Sequence, residues 1–462
     1  MSASSRRRRP LTPRRQPSTL ERICPDAAGI DCGATEHYVA VPPDRADPPV
    51  RAFRTFTPDL RALVTWLQAC RVTTVAMEAT GVYWIPVYEM LERAGVTVLL
   101  VNAQHVKHVV GRKSDVSDCE WLRDLLMVGL LRGSFRPADA VLPLRAYLRQ
   151  RDTLIQDTTR AMQRMQKALL QMNVQLPRVL SDLGGVTGLR IIRDIVAGHR
   201  DPAHLAQYRD RRCQASPAEF VAALTGNYRD EHVFVLRQHL ALFDALEVQR
   251  TECDAVLATT LAQLAATAPR PAAPVPPARV TSKPKANEPR FDMRTPLYQL
   301  TGTDLAQIDG IGPYTALRLI GEIGTDMGRW RTEQHFTSWL TLAPHNRISG
   351  GRLLSSRTPP SANRAAAILR MAAMAVGYTQ TALGAFYRRL AFRIGKARAN
   401  TATARKLAVL VYRSLKGEIT YRDGGAEAYD TQQRARTLRG LERRAHSLGF
   451  DLVQRTTGEV VS

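Results

Sequence analysis

Apolar runs and amphipathic stretches alternate along residues 27–132. AAGIDCG and HYVAV have the short apolar pattern of two strands, and a third strand is predicted near RAFRTF. Helices are predicted at 58–70 and 83–94, with strands at 73–78 and 96–101 and a last helix in SDVSDCEWLRDLLMVGLL. Three consecutive strands followed by alternating helices and strands predict a mixed α/β layer.

A helical pattern replaces the strands after residue 140. One seam of 3.5-residue spacing, interrupted by Arg151 and Thr158, predicts long helices that could form a coiled coil. We interpret this seam as ordinary core or as a dimer interface, and we expect more helix to about residue 265. Its apolar members are Leu148, Ile155, Met162, Met165, Leu169 and Met172.

A proline-rich stretch marks the clearest expected domain boundary. Residues 269–289 hold seven prolines, which exclude a helix or a central strand and predict a semi-rigid basic linker. The predicted segments are a disordered basic arm at 1–22, an α/β domain at 23–140, a helical and coiled-coil region at 141–266, the linker at 267–291, a mostly helical domain at 292–425 and an arginine-rich helical tail at 426–462.

Four acidic residues give the strongest chemical signal. Asp31 lies in the first predicted strand and Glu78 ends another, where a bare carboxylate is costly unless something pairs with it. Asp115 and Asp118 open a helix, and their spacing of three places both on one face. Such carboxylates could hold two divalent cations, and hard oxygen ligands favour Mg²⁺ or Mn²⁺. Asp115 and Asp118 could instead be first-turn residues favoured by the helix dipole, and Asp31 alone could be a turn residue.

The charge of the chain indicates a polyanionic partner. The net charge is +23, and only eight of the 65 basic residues are lysines, so 57 are arginines. Arginine binds phosphate through two parallel hydrogen bonds, and nucleic acid is the usual partner of such a charge.

The six scattered cysteines have no CxxC spacing, and no apolar run has the length of a membrane span. These features favour a cytosolic protein over a secreted or membrane one.

The C-terminal domain offers a second candidate site. In LAQIDGIGPYTALRLIGEIG, Gly310 and Gly312 suggest a helix-hairpin-helix that could hold a DNA phosphate through backbone N–H groups, although an ordinary helix turn has the same pattern. Ser349, in a Ser-Gly-Gly turn, could be a nucleophile with His345 as its base, and Ser355 and Ser356 are no worse candidates. The nearby arginines are Arg347, Arg352, Arg357, Arg364 and Arg370.

Five motifs together resemble one known family. GIDCG, VAMEATGVYW, GRKSDVSD, IDGIGPYTA and LAPHNRISGGR occur in the order of the DEDD-type insertion-sequence transposases, over about residues 25–425. The resemblance implies a ribonuclease-H-like, RuvC-like N-terminal domain and a distinct C-terminal transposase domain. The family's acidic tetrad falls on Asp31, Glu78, Asp115 and Asp118, and its serine falls on Ser349.

The resemblance also implies a mechanism and partners. Ser349 of one subunit would face the metal-bound carboxylates of another and form a phosphoserine link with DNA. Donor and target DNA, an element-encoded guide RNA and a dimer joining into a tetramer are the implied partners, in the bacterial cytoplasm. Candidate nucleic-acid contacts are Arg112, Lys113, Gly310, Gly312, Arg347, Arg352, Arg357 and Arg364.

Two other functions fit the same residues. A metal-dependent junction nuclease would use the tetrad with water as the nucleophile and would be indifferent to Ser349. A nucleic-acid-binding protein that has only the fold would need neither. The arm before residue 20, the stretch at 269–289 and the tail after 425 are additional to a compact family member, and Cys119 follows Asp118 where a small residue such as alanine is common in the family.

Overall fold

A computed structural model describes residues 22–79, 81–102, 115–278 and 285–453. The chain divides into two compact units, residues 1–136 and 137–462. The basic arm predicted at 1–22 lies outside the described residues except for Arg22.

The first unit contains a five-stranded sheet with the predicted elements in the predicted order. Strand β1 pairs antiparallel with β2, β2 pairs antiparallel with β3, and β1–β4 and β4–β5 are parallel, so the sheet order is β3-β2-β1-β4-β5. This arrangement is consistent with a ribonuclease-H-like domain. Its elements are β1 (Ala27–Cys32), β2 (Glu36–Ala40), β3 (Val50–Arg54), α1 (Thr57–Ala69), β4 (Thr74–Glu78), α2 (Trp84–Arg93), β5 (Thr97–Val101) and α3 (Asp115–Met127).

Alternation along the strands divides the sheet into two faces. On one face, Ile30 and Met77 belong to the core that also holds apolar residues of α1 and α2. On the other, Ala27 and Ala76 pack with Leu122 and Leu126 of α3. Since successive side chains of a strand point to opposite faces, the odd positions of β1 and the even positions of β4 face α3.

The second unit begins with a helical region built on two long helices. The 30-residue α4 (Leu142–Gln171) and the 38-residue α9 (Asp230–Thr267) are antiparallel: Cys253 Sγ of α9 donates to Tyr147 O near the start of α4, and Asn227, before α9, donates through N to Met172 O at the other end. Between them lie α5 (Leu176–Val179), α6 (Val186–Ala197), α7 (Pro202–Ala206) and α8 (Pro217–Leu224).

Most of the predicted seam is core within the chain. Leu148, Met165, Leu169 and Met172 are buried, and the last three pack in one cluster with apolar residues of α6, α8 and α9. Their burial leaves little of this seam for a partner subunit. The predicted coiled coil and oligomer stay predictions.

The proline-rich segment is held against the second unit. Arg294 Nη2 donates to Pro276 O at 2.5 Å, Tyr298 Oη donates to Ala273 O at 3.1 Å and Gln307 Nε2 donates to Pro277 O at 2.9 Å. Side chains that follow the segment in the sequence therefore satisfy three of its carbonyl groups. Both sides of the expected linker belong to one compact unit.

The C-terminal part is mostly helical, as predicted, with one hairpin that the sequence analysis did not predict. The bounds of its elements are α10 (Arg294–Thr301), α11 (Pro313–Ile323), α12 (Glu333–Trp339), β6 (Arg347–Ser349), β7 (Arg352–Ser355), α13 (Arg364–Val376), α14 (Ala382–Ile394), α15 (Lys396–Leu415) and α16 (Gly425–His446), with 3-10 turns at Asp139–Val141, Leu305–Gln307 and Met327–Arg329. None of the helices in the described ranges is long and apolar enough to span a bilayer.

Candidate active site

Asp31 and Glu78 lie next to each other on the face of the sheet that α3 covers. The Cα atoms of Ile30 and Met77 are paired across the parallel strands β1 and β4, so the following residues of the two strands are also neighbours. Both follow a side chain that is buried on the opposite face. Alternation therefore directs the two carboxylates to the α3 face, and both are half-buried there.

Helix α3 approaches this face so closely that only glycine fits beneath it. A Cβ on Gly29 would lie 2.1 Å from Cys119 O and 2.5 Å from Arg123 N, which are backbone atoms of α3. The helix is antiparallel to β1, because Cys24 N, before the strand, donates to Met127 O at the helix end at 3.0 Å. Gly29 of β1 is therefore directly beneath Cys119 of α3.

This register brings the start of α3 to the level of Asp31. Two strand residues from Gly29 to Asp31 span about 6.6 Å, and four helical residues from Cys119 back to Asp115 span about 6 Å. Asp118 lies one turn before Leu122, which packs on the sheet. Asp31, Glu78 and Asp118 are half-buried in the first unit; the helix begins at Asp115, whose side chain is outside the described set.

The pKa values of two thiols near Asp31 are raised, in part by the negative charge of the surrounding carboxylates. Burial, with the charges of Asp31 and Glu78 as further causes, raises the pKa of the Cys32 thiol to about 12. Burial, with the charges of Glu120 and Asp31, also raises the pKa of the Cys119 thiol to about 12. Both cysteines are buried and free, so they are neutral side chains beside the carboxylates at physiological pH.

The donor set fits a divalent cation, although the described residues do not complete a site. Among residues whose side chains are described, no three His, Cys, Asp or Glu form a metal-binding group. The side chain of Asp115 is the one predicted ligand missing from that set. Arg112 and Lys113, the predicted nucleic-acid contacts beside it, lie outside the described residues.

Ser349 lies at the tip of the β6–β7 hairpin. Its Cα is paired with that of Arg352, and the two-residue loop between them is Gly350-Gly351. Both glycines have positive φ, +54° and +73°, as a type I′ turn requires. The Ser-Gly-Gly turn of the sequence is therefore confirmed as a hairpin turn, and Ser349 is exposed on it.

Most of the predicted residues around Ser349 are exposed, and they lie on different elements. Arg347 and Arg352 are exposed on the hairpin, and Arg357 follows it, where its carbonyl accepts from His345 N at 3.0 Å. His345 is exposed at the base of the hairpin. Arg364 begins α13, where its charge is one of those that lower the pKa of Glu322.

The glycines of the predicted helix-hairpin-helix form a tight turn before α11. Gly310 has φ +81°, and a Cβ there would lie 2.4 Å from Val376 Cγ2 and 2.8 Å from Ala372 O of α13. Gly312 is the N-cap of α11, with Pro313 in its first turn, and a Cβ added to Gly312 would meet nothing within 4 Å. The element before this turn is a 3-10 turn at Leu305–Gln307 and not the α-helix that a helix-hairpin-helix would have there.

The sequence analysis missed a buried polar cluster centred on Arg151. This residue, which interrupts the apolar seam, is 1 % exposed and forms an ion pair with Asp254 of α9. Its Nη1 donates to Asn287 O at 2.8 Å and to Tyr314 Oη of α11 at 2.9 Å. Burial opposes the charge of Arg151, but the hydrogen bond with Asp254 and the charges of Tyr314 and Asp254 raise its pKa. An arginine at a seam position was the only signal for this cluster.

Two family models match the chain, one in its N-terminal part and one in its C-terminal part. The model described as Transposase, DEDD_Tnp_IS110, matches residues 28–174, and the model described as Transposase IS116/IS110/IS902 family matches residues 302–388. The first range includes Asp31, Glu78, Asp115 and Asp118, and the second includes Ser349. A search of curated proteins found no match. The two family matches support the assignment of the chain as an IS110-type DEDD transposase.

Proposed function

We propose that this chain catalyses excision and integration of an insertion sequence through a phosphoserine intermediate and a metal-bound DEDD site. The observation that carries the proposal is the pairing of Asp31 and Glu78 on adjacent strands, under a helix that starts with Asp115 and Asp118. A bound divalent cation would offset the repulsion between carboxylates gathered in this way.

Asp31, Glu78, Asp115 and Asp118 would hold Mg²⁺ or Mn²⁺. Bound there, the cation would supply electrostatic stabilisation of charge on a phosphodiester. Cys32 and Cys119, held neutral by their raised pKa, leave the carboxylates as the charged ligands of the site.

Ser349 would be the nucleophile in this proposal. Its Oγ forms a bond with phosphorus as the bond from phosphorus to a sugar oxygen breaks; the hydroxyl proton passes to solvent or to His345, and the departing oxygen takes up a proton. Exposure at a hairpin tip makes the hydroxyl accessible to a DNA backbone. Arg347, Arg352 and Arg357 would stabilise charge on the attacked phosphate.

The resemblance to the DEDD-type transposases also suggests binding partners. Gly310 and Gly312 would contact a DNA phosphate through the N-terminus of α11, and Arg112, Lys113 and Arg364 would contact nucleic acid elsewhere. A guide RNA, and a dimer or tetramer in which carboxylates and serine come from different subunits, complete the proposal.

Excision from a plasmid that carries the element tests the metal site. Asp31→Asn and Glu78→Gln remove ligand charge with little change in volume and should abolish excision. Glu89→Gln, at an exposed ion pair of α2 in the same unit, is the matched control and should excise normally. Normal excision by Asp31→Asn would contradict a catalytic carboxylate site.

A further inference from the structure

A groove of about 1150 Å³ lies between the hairpin and the helices α14 and α15. Leu353 and Leu354 of β7 line the hairpin side. Phe386, Ile394 and Val409 contribute apolar surface from the two helices. Leu353 and Leu354 are 54 % and 66 % exposed, so this apolar surface is open to a ligand.

The charge along the groove is almost entirely positive. Four cations line it, Arg357, Arg398, Arg405 and Lys406, against one acid, Glu333. Arg413, which does not line the groove, already pairs with that acid: its Nη2 and Nε donate to Glu333 at 2.6 and 3.0 Å. In the described parts of the chain, none of the four lining cations forms a salt bridge. The groove therefore has unbalanced positive charge beside an apolar surface.

Lys406 lies against two aromatic rings and near two further cations, Arg436 and Arg389. Lys406 Nζ lies 4.6 Å from the centroid of the Phe386 ring and 5.9 Å from that of Tyr429 on α16. Burial, then the charges of Arg436 and Arg389, lower the pKa of Lys406. An anion in the groove would offset this repulsion, because opposite charges favour the charged form of a lysine.

We propose that this groove binds a single strand of nucleic acid, with its phosphates on Arg398, Arg405 and Lys406 and its bases against the apolar surface. Single-strand sites combine a cationic path for the backbone with aromatic and apolar platforms for the bases. The inference rests on the proposed function and adds a substrate-holding surface to it. Arg398, Arg405, Lys406 and α16 lie outside both family matches, which end at residues 174 and 388.

The groove favours one strand over a duplex. Its volume is close to that of pockets that enclose one organic ligand, about 300 to 1,000 Å³, so a few nucleotides fill it. In a duplex the base faces are stacked inside the helix, so a duplex would leave Phe386, Ile394 and the hairpin leucines without a base to cover them. Single-stranded DNA and single-stranded RNA share the chemistry that this surface recognises.

Binding of fluorescent oligonucleotides at several salt concentrations tests the proposal. The full chain carrying Ser349→Ala is titrated with single-stranded DNA, single-stranded RNA and duplex DNA, so that strand cleavage does not interfere. In this background, Arg398→Gln/Arg405→Gln/Lys406→Gln should weaken binding of at least one single strand by roughly tenfold, and the slope of log K against log salt should fall by about 2, since each phosphate contact contributes about 0.7.

Two controls distinguish the loss of charge in the groove from a general effect of substitution. Arg398→Lys/Arg405→Lys keeps both charges and should keep most of the slope. Arg211→Gln removes one exposed arginine from the helical region of the same unit and should leave binding unchanged.

Each outcome decides the proposal. A loss confined to DNA or to RNA supports it and identifies the strand. Unchanged affinity and slope for both single strands in the triple variant, or a loss confined to the duplex, would overturn it. Covalent adduct formation by the chain with Ser349 intact is measured separately, so a missing adduct contradicts the serine mechanism and leaves the groove result standing.

Discussion

Asp31 and Glu78 are neighbours in space because β1 and β4 pair in parallel with Ile30 opposite Met77. The pairing places one carboxylate from each strand on the face that α3 covers. Gly29 sets the distance of that helix, since its missing side chain lets the α3 backbone approach the strand. The parallel pairing, the face covered by α3 and the small size of Gly29 thus bring acidic residues from distant parts of the sequence together.

Gly29→Ala should therefore lower the stability of the first unit. The added Cβ would meet backbone atoms of α3 at 2.1 and 2.5 Å, which cannot be relieved by a side-chain rotation. We expect a loss of about 3 kcal/mol in the free energy of unfolding of the first unit, measured by urea denaturation followed by fluorescence. Gly440→Ala, in exposed helix α16 with nothing near the new Cβ, should instead stabilise by about 0.5–1 kcal/mol. An unperturbed Gly29→Ala would show that α3 lies farther from β1.

Removal of Arg151 should strongly destabilise the second unit. Arg151→Met leaves Asp254 without its partner and removes the donor to Tyr314 and Asn287. Breaking a buried ion pair on one side costs about 3–5 kcal/mol, whereas Arg160→Met, at an exposed pair with Asp157, should cost less than about 0.5 kcal/mol. Urea denaturation of both variants gives the comparison. Equal small losses would mean that the Arg151 cluster contributes little.

The hairpin turn should affect activity more than stability. Gly351→Val forces a β-branched residue to φ +73°, and about 1–2 kcal/mol of local strain would displace Ser349 from the tip. Because the hairpin is exposed, the midpoint of thermal unfolding should change little while excision is lost. Gly350→Asn produces the Asn-Gly pair that type I′ turns favour and should keep activity. Full excision by Gly351→Val would show that the turn does not position the serine.

Glu322 should make part of the free energy of unfolding depend on pH. Burial alone would raise the pKa of this carboxyl, but hydrogen bonds and charge from Arg149 and Arg145 lower it below its usual value. A carboxyl with a lowered folded-state pKa contributes stability above its unfolded pKa, near 4.3, and loses that contribution as pH falls through the folded value. Glu322→Gln should thus destabilise at pH 7 and have a smaller effect at pH 3.

A matched carboxylate controls for general acid effects. Glu252 is exposed on α9 and forms no salt bridge with a described residue. Glu252→Gln should change the free energy of unfolding by less than about 0.5 kcal/mol at either pH. A Glu322→Gln variant with the same cost at both pH values would contradict the assigned role of the arginine pair.

The sequence predicted the first unit well for a physical reason. Strands β1, β4 and β5 are short apolar runs between amphipathic helices, so periodicity alone separates them. Asp31 and Glu78 stood out because they lie within or at the end of such runs. The position of α3 above Asp31 could not be predicted in the same way, since it depends on Gly29, which has no side chain to form part of a pattern.

The second unit was harder to predict because its decisive contacts are tertiary. Strands β6 and β7 have only three and four residues, and both are largely exposed, so no alternation indicated them. Arg151 looked like an interruption of the seam, because its partners come from α9, α11 and Asn287. The proline-rich segment had the composition of a linker, yet Arg294, Tyr298 and Gln307 hold it in place.

The most direct test of the account is the chemical identity of the bond between this protein and DNA during recombination. The protein is incubated with Mg²⁺ and a DNA substrate that contains the element ends, denatured, and analysed for a covalent adduct by gel and peptide mass spectrometry. The account predicts an adduct on Ser349, present in Ser356→Ala and absent in Ser349→Ala. Recombination without any adduct, or an adduct mapped to a different residue, would contradict it.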